Sequence, residues 1–192
     1  MSRRADAVKN IEAVLAAAEA CLARDPDATM AQIARAAGVS RMTVYEHFSS
    51  RAALLAEVVD RTMQRSNAEL EAVPVTGDPS AALERLIHAT WTVTHRTGAL
   101  VVAAEKVLSG QNMQDAHGEV IRRVGDLLRR GRDEGVFRTD MPVSWQVTVI
   151  QSILHGASAA VHRGGSTAEE VSALLTPTIL STVARVPAVP GA

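Results

Sequence analysis

The sequence predicts an all-α protein. Apolar residues recur at helical spacing, strand-type alternation is absent, and alanine is frequent throughout the 192 residues. The first helix carries Val8, Ile11, Leu15, Ala18 and Leu22 on one stripe and stops near Asp25-Pro26, because a residue before proline avoids the α region. Thr29 opens a second helix with Gln32 as its capping-box partner, and Gly38 ends it where a left-handed residue is wanted. Ser40 caps a short third helix with Val44 and Phe48 one turn apart on its inner side. A fourth begins near Ser50 and carries Leu54, Leu55, Val58 and Val59.

The stretch from Val73 to Ser80 is the clearest break, and Asp78 before Pro79 is an N-cap with proline at the first helical position. Further helices are expected from there to about Thr97, from about Ala99 to Leu108, and from about Gln114 to Glu134 with Gly135 as terminator. Asp140-Met-Pro142 starts another, which ends at Gly164-Gly165. Ser166 or Thr167 caps the last, each with a glutamate three residues on. Pro187, Pro190 and Gly191 make a frayed tail. That makes about nine helices, divided into residues 1–50 and residues 51–192.

Composition narrows the function. Basic and acidic residues number 20 and 21, so no bulk field draws the chain to nucleic acid. Aromatics make up 3%, too few for a stacking platform on single strands. The lone Cys21 forms no intrachain disulfide, and residues 1–20 lack an apolar block ending in a cleavage site; a cytoplasmic protein is expected. Met141 to Val161 contains no Asp, Glu, Lys or Arg, but Ser144, Gln146, Thr148, Gln151, Ser152, His155 and Ser158 are scattered through it. The expected reading is a helix buried on two sides, not a membrane span. There is no GxSxG, P-loop, GxGxxG or HExxH signature, so neither an enzyme nor a metal or cofactor site is expected.

The sharpest signal lies between Met30 and Phe48. Ala34 is small where two helices must cross closely, Gly38-Val39-Ser40 is a short turn, and Val44 and Phe48 anchor the third helix against the second. These are the requirements of a helix-turn-helix, which pushes the outer face of its second helix into the major groove. With Val44 and Phe48 inward, Met42 and Glu46 point outward, flanked by Arg41, Thr43 and Tyr45. A guanidinium at Arg41 suits guanine O6/N7 or a phosphate, and Met42 and Thr43 suit a thymine methyl. Tyr45, His47 and Arg51 suit phosphates, and the third helix's N-terminus offers free N–H groups. Thr29 and Ser40, at the two caps, complete the expected DNA-binding set.

The run Met30-Ala-Gln-Ile-Ala-Arg-Ala-Ala-Gly-Val-Ser40, then Val44-Tyr-Glu-His-Phe-Ser-Ser-Arg51 and Ala53-Leu-Leu55, resembles the TetR/AcrR family of transcriptional regulators. Arg51 stands where that family more often has lysine. The specific motif covers about residues 8–60; the rest matches in length, helix count and the Gly131-Arg-Asp-Glu-Gly-Val-Phe137 pattern. The resemblance implies an all-α homodimer with an N-terminal DNA-binding part and a divergent C-terminal part that binds a ligand, its dimer contact made mainly by the last two helices.

The uncharged helix and the last helix fit that contact. Val147, Ile150, Leu154, Ala157 and Val161 form one stripe, and Val171, Leu175 and Ile179 lie on the last helix; these eight are the expected four-helix dimer interface. A second stripe is Val149, Ile153 and Ala160. Ligand contacts are expected from His88, Trp91, His95, Glu105, Trp145, Gln151 and His155 around an apolar pocket, although Trp91 equally suits a core. His88 and His95 cannot share a metal, since seven residues rise about 10.5 Å along a helix. The expected function is a dimeric, ligand-responsive regulator, most simply a repressor, on a partly palindromic double-stranded operator. The other reading is a helical dimer that binds protein or sequesters ligand without DNA.

Overall fold

The computed structural model describes residues 3–105 and 118–185. Eight α-helices occur among them: α1 (Arg3–Arg24), α2 (Met30–Ala37), α3 (Arg41–His47), α4 (Arg51–Glu71), α5 (Pro79–Glu105), α6 (Gly118–Asp133), α7 (Val143–His162) and α8 (Ala168–Val183). The one β-type pairing among these residues is an isolated bridge between Phe137 and Ala184. None of the described helices is long and apolar enough to cross a membrane. The expected helix segments 106–108 and 114–117, and the tail at Pro187, Pro190 and Gly191, lie outside the described residues.

The chain packs as two compact units. One takes the chain to Arg65 and returns at Arg96; the other takes Ser66–His95 and the chain from α6 onward. The first unit's core is built from Val14, Ala18 and Leu22 of α1, Ile33 and Ala34 of α2, and Val44 of α3, each at most 3% exposed. Leu54, Leu55 and Val58 of α4 and Leu100 and Ala103 of α5 join it. Each buried Leu, Ile or Val side chain stabilises the fold by about 1.5–3 kcal/mol. The expected stripe on α1 shifts at its N-terminal end, where Val8 is exposed, Ile11 is half-buried and Val14 is fully buried.

The second unit's core gathers Leu83 and Leu86 of α5, Leu127 and Leu128 of α6, Ile150 of α7 and Ile179 of α8. Between α6 and α7 the chain turns at Gly135, φ 73°. The amides of Val136 and Phe137 both donate to the Gly131 carbonyl, at 2.8 and 3.1 Å. Phe137 then lies against Gly131 so closely that a Cβ there would stand 2.2 Å from the ring. The bridge that follows joins Arg138 N–H to the Val183 carbonyl (2.9 Å) and Arg185 N–H to that of Val136 (3.2 Å).

Two expectations need correction. The break at Gly98 is absent: α5 runs unbroken from Pro79 to Glu105. A helical glycine costs about 1 kcal/mol, and the burial of Val93, Leu100 and Ala103 around it outweighs that. The dimer-interface set is largely inward: Val147, Ile150, Leu154, Leu175 and Ile179 are buried in the chain's own core, and Ala157, Val161 and Val171 are half-buried against it. The stripe richest in branched residues serves the chain itself. What α7 and α8 leave exposed is a different, uncharged face that includes Trp145, Ser152 and Gly156 on α7 and Leu174, Pro177 and Ser181 on α8.

Candidate nucleic-acid interface

The α2–α3 pair is fixed by bonds that close within a few residues. The Thr29 hydroxyl accepts from Gln32 N–H, and the Gln32 side chain accepts from the Thr29 amide at 2.7 Å, completing the expected capping box. Gly38 adopts φ 68°, ψ 24°, while its own amide and that of Val39 donate to Arg35 and Ala34 carbonyls. Ser40 Oγ accepts from Thr43 N–H at 3.0 Å and pairs with the Thr43 hydroxyl at 2.9 Å. Thr29 and Ser40 are thus engaged as caps, and Thr43 is half-buried beside Ser40.

Val44, fully buried, and Phe48, 8% exposed, turn the rest of α3 outward. Arg41, Met42, Tyr45, Glu46 and His47 are all exposed, with Met42 at 70% the most exposed large apolar side chain among the described residues. The Arg41 guanidinium lies 5.4 Å from the centre of the Tyr45 ring. This cation–π pair, one helical turn apart, orders two long side chains on the presented face. Sequence reasoning named both residues but missed their pairing, although the i, i+4 spacing carries the signal.

Arg51 stands elsewhere. Its Nε donates to the Ala28 carbonyl (3.1 Å) and its Nη2 to that of Pro26 (2.7 Å). The side chain ties the α1–α2 loop, and with it the Thr29 cap, to the start of α4. The side chains of Arg3 and Arg4 lie outside the described residues.

The expected ligand residues scatter within the second unit. Gln151 and His155 line a cavity of about 50 Å³ among α5, α6 and α7, together with Thr90 and Thr94, which sequence reasoning missed. The Thr90 hydroxyl donates to the Leu86 carbonyl at 2.7 Å and keeps its lone pairs. Trp91 is a core residue at 4% exposure and stacks on His95, centres 5.4 Å apart. His95 tilts against His162 at 5.9 Å, with its Nδ1 buried and unpartnered. His88 and Trp145 are exposed and line no part of the cavity, and the Glu105 side chain lies outside the described residues. The signal for Thr90 and Thr94 was their i, i+4 spacing on the face that also carries Leu83, Leu86 and Ile87.

Comparison with known proteins covers both parts of the chain. Residues 14–58 match the family model described as bacterial regulatory proteins, tetR family, and residues 79–168 match the tetracyclin repressor-like C-terminal domain. The HTH-type transcriptional repressor LfrR of Mycolicibacterium smegmatis is 27% identical over 168 residues, 85% of each chain. The HTH-type transcriptional regulator NfxB of Pseudomonas aeruginosa is 26% identical over 164 residues, covering 82% of this chain and 85% of that one. Among solved structures, the ketosteroid transcriptional regulator KstR2 of Mycobacterium tuberculosis superposes with a TM-score of 0.71 at 23% identity, over 96% of both chains. The structure of LfrR in complex with proflavine gives 0.70 at 23% identity, over 93% of this chain and 99% of that one.

Proposed function

The chain belongs to the TetR family of bacterial regulatory proteins and is a helix-turn-helix transcriptional regulator, not an enzyme; on that premise we propose that it is a dimeric, effector-released repressor of the cytoplasm. Residues 1–50 serve DNA in this reading, and residues 51–192 serve the effector and the partner subunit.

The observation that carries the DNA reading is the outer face of α3, where Arg41, Met42 and Tyr45 stand exposed on a helix anchored by buried Val44 and Phe48. In the major groove Arg41 takes guanine O6/N7 and Met42 takes a thymine methyl. Tyr45 and His47 take phosphates, which set register without reading sequence. Thr43 serves the thymine methyl beside Met42, while Thr29 and Ser40 act by holding the two helix starts. Arg51 acts through the α1–α2 loop that it ties, which replaces the direct phosphate contact expected from sequence.

Two copies joined through the uncharged outer face of α7 and α8 present two such helices to half-sites about 34–36 Å apart, or a multiple of that. A small effector acts only as far as it binds the DNA-competent and the released geometries with different affinity. LfrR, whose structure holds proflavine, supports a small-molecule effector for this chain as well.

Selection of random duplex DNA on the purified protein, with Tyr45→Ala in parallel, tests the reading. An enriched partial palindrome lost in the variant is expected. Enrichment of a site without two-fold symmetry, or one unaffected by Tyr45→Ala, overturns the dimeric α3 reading. Specific binding must also weaken steeply with added salt.

A further inference from the structure

The cavity of the second unit has a chemistry that narrows its occupant. Thirteen residues line it, and nine of them are Leu, Ile or Val. The other four form two i, i+4 pairs, Thr90 with Thr94 on α5 and Gln151 with His155 on α7. Among the described residues no Asp, Glu, Lys or Arg lines it, and the His155 imidazole is its one ring. Its volume is about 50 Å³, where holding one water takes about 10–15 Å³.

Each fact excludes a class. A buried cation needs a carboxylate or an aromatic face, and a buried anion needs a guanidinium, an ammonium or an imidazolium; the one such group in the lining, His155, is exposed to solvent, so a charge placed among the aliphatic walls keeps its desolvation penalty. A rigid flat ring system needs two parallel walls, and branched aliphatic side chains supply none. A flexible chain, by contrast, enters by shifting Leu, Ile and Val rotamers and replaces aliphatic contacts with aliphatic contacts. Gln151 and the threonine pair then serve to hydrogen-bond a single neutral group at one end of the ligand.

We propose that the effector is an uncharged, flexible, mainly aliphatic molecule with one hydroxyl or carbonyl group held by Gln151 and the threonine pair. The proposal rests on the effector reading above and names the ligand class for that site. Because so small a cavity must open to admit a chain, occupancy separates α5, α6 and α7, and that separation is the differential interaction that biases the two geometries.

The test compares three probes of equal length, 1-octanol, octanoate and octylammonium, by calorimetry on the full chain at pH 7.4, with Ile121→Trp and Gln151→Leu as variants. Ile121 lines the cavity but is only half-buried, so its enlargement fills the site at small risk to the fold. Octanol is expected to bind at least about 30-fold more tightly than either ion. Ile121→Trp should weaken it at least about tenfold, and Gln151→Leu, which leaves the fold's apolar contacts in place, about two- to tenfold. Tighter binding of octanoate or octylammonium, lost in Ile121→Trp, overturns the neutral class and leaves the effector site standing. Octanol binding indifferent to both variants overturns the assignment of this cavity. Failure of all three probes, and of proflavine, to bind overturns the neutral-chain proposal and the effector reading together, while the DNA selection stands or falls by itself.

Discussion

The α2–α3 pair and the α4–α5 loop are both short segments that must satisfy their own backbone groups, and they do it by opposite means. In the first, Thr29 bonds Gln32 and Ser40 bonds Thr43, so each polar side chain reaches only three residues along the chain. In the second, the loop's carbonyls are taken by arginines from other helices. Arg123 donates to Leu70 and Val73 carbonyls, and Arg130 donates to Val75 and Gly77 carbonyls at 2.7 and 2.8 Å. Arg85 adds Pro74 at 3.1 Å and Thr76 at 2.8 Å. Local closure lets α3 hold its shape with one face bare, as a groove-reading helix requires. Closure at a distance makes the second loop's conformation depend on α6, a helix that also lines the cavity proposed for the effector. An effector that moves α6 therefore strains this loop directly.

The largest expected effect falls in neither segment but at the tight turn that ends α6, the helix whose arginines close the second loop. Gly131→Ala puts a methyl 2.2 Å from the Phe137 ring, a large clash against a side chain that is 2% exposed. A loss of about 2–3 kcal/mol is expected in urea unfolding, and Phe137→Leu in the same chain should return part of it. A loss below about 0.5 kcal/mol would mean that the turn relaxes freely and is not a fixed tie.

Next comes Arg130→Met, which keeps the aliphatic stem and removes both donors to the loop. Hydrogen bonds to charged groups contribute about 1.5–3 kcal/mol each when buried. Both carbonyls here are reached by a side chain 36% exposed, so about 1–2 kcal/mol is expected in total. Thr29→Ala breaks the local mode and should cost about 1 kcal/mol, read in the same titration. If the threonine variant costs more than the arginine variant, the contrast between the segments fails. Arg51→Lys joins the two modes: one ammonium cannot reproduce the paired Ala28 and Pro26 bonds, so a loss of about 0.5–1.5 kcal/mol is expected with operator affinity falling alongside.

This contrast also explains what could be read from the chain alone. Thr29, Gly38, Ser40 and Pro79 were legible, and the last cap was narrowed to Ser166 or Thr167, because the physics of a cap or a turn lies within four residues, which is the span of the sequence signal. The outer face of α3 was legible for the same reason: once Val44 and Phe48 are inward, helical geometry leaves Met42 and Tyr45 outward. Arg123 and Arg130 carried no such mark, since their partners lie 50 to 55 residues away. The two stripes of α7 were visible, but nothing local says which of them meets its own core. Gly98 and Pro177 sit in helices whose continuity is decided by packing, so local propensity misled at the glycine and said nothing useful at the proline.

The smallest effect sets two like devices against each other. α2 and α8 both begin with a capping box, but the reciprocal group is the amide of Gln32 in one and the carboxylate of Glu170 in the other. The Thr167 amide, and then its hydroxyl, hold the Glu170 carboxyl below its ordinary value of 4.5. A carboxyl lowered in the folded state contributes stability that is complete above its ordinary value and lost as pH falls through the lower, folded one. The Gln32 box has no such dependence. Asp140 and Glu119, lowered by Arg138 and Arg122, add their own acid sensitivity, so the measurement must be a difference. The gap in melting temperature between the native chain and Glu170→Gln, followed from pH 6 to pH 3, is expected to hold level above the ordinary value of 4.5 and to change below it, with the native chain losing ground toward acid. Gln32→Glu should make the first box behave like the last, gaining the same acid sensitivity at α2. A gap that stays constant across that range would mean that the Thr167–Glu170 bond is not formed in solution, and that the Thr167 hydroxyl alone caps α8.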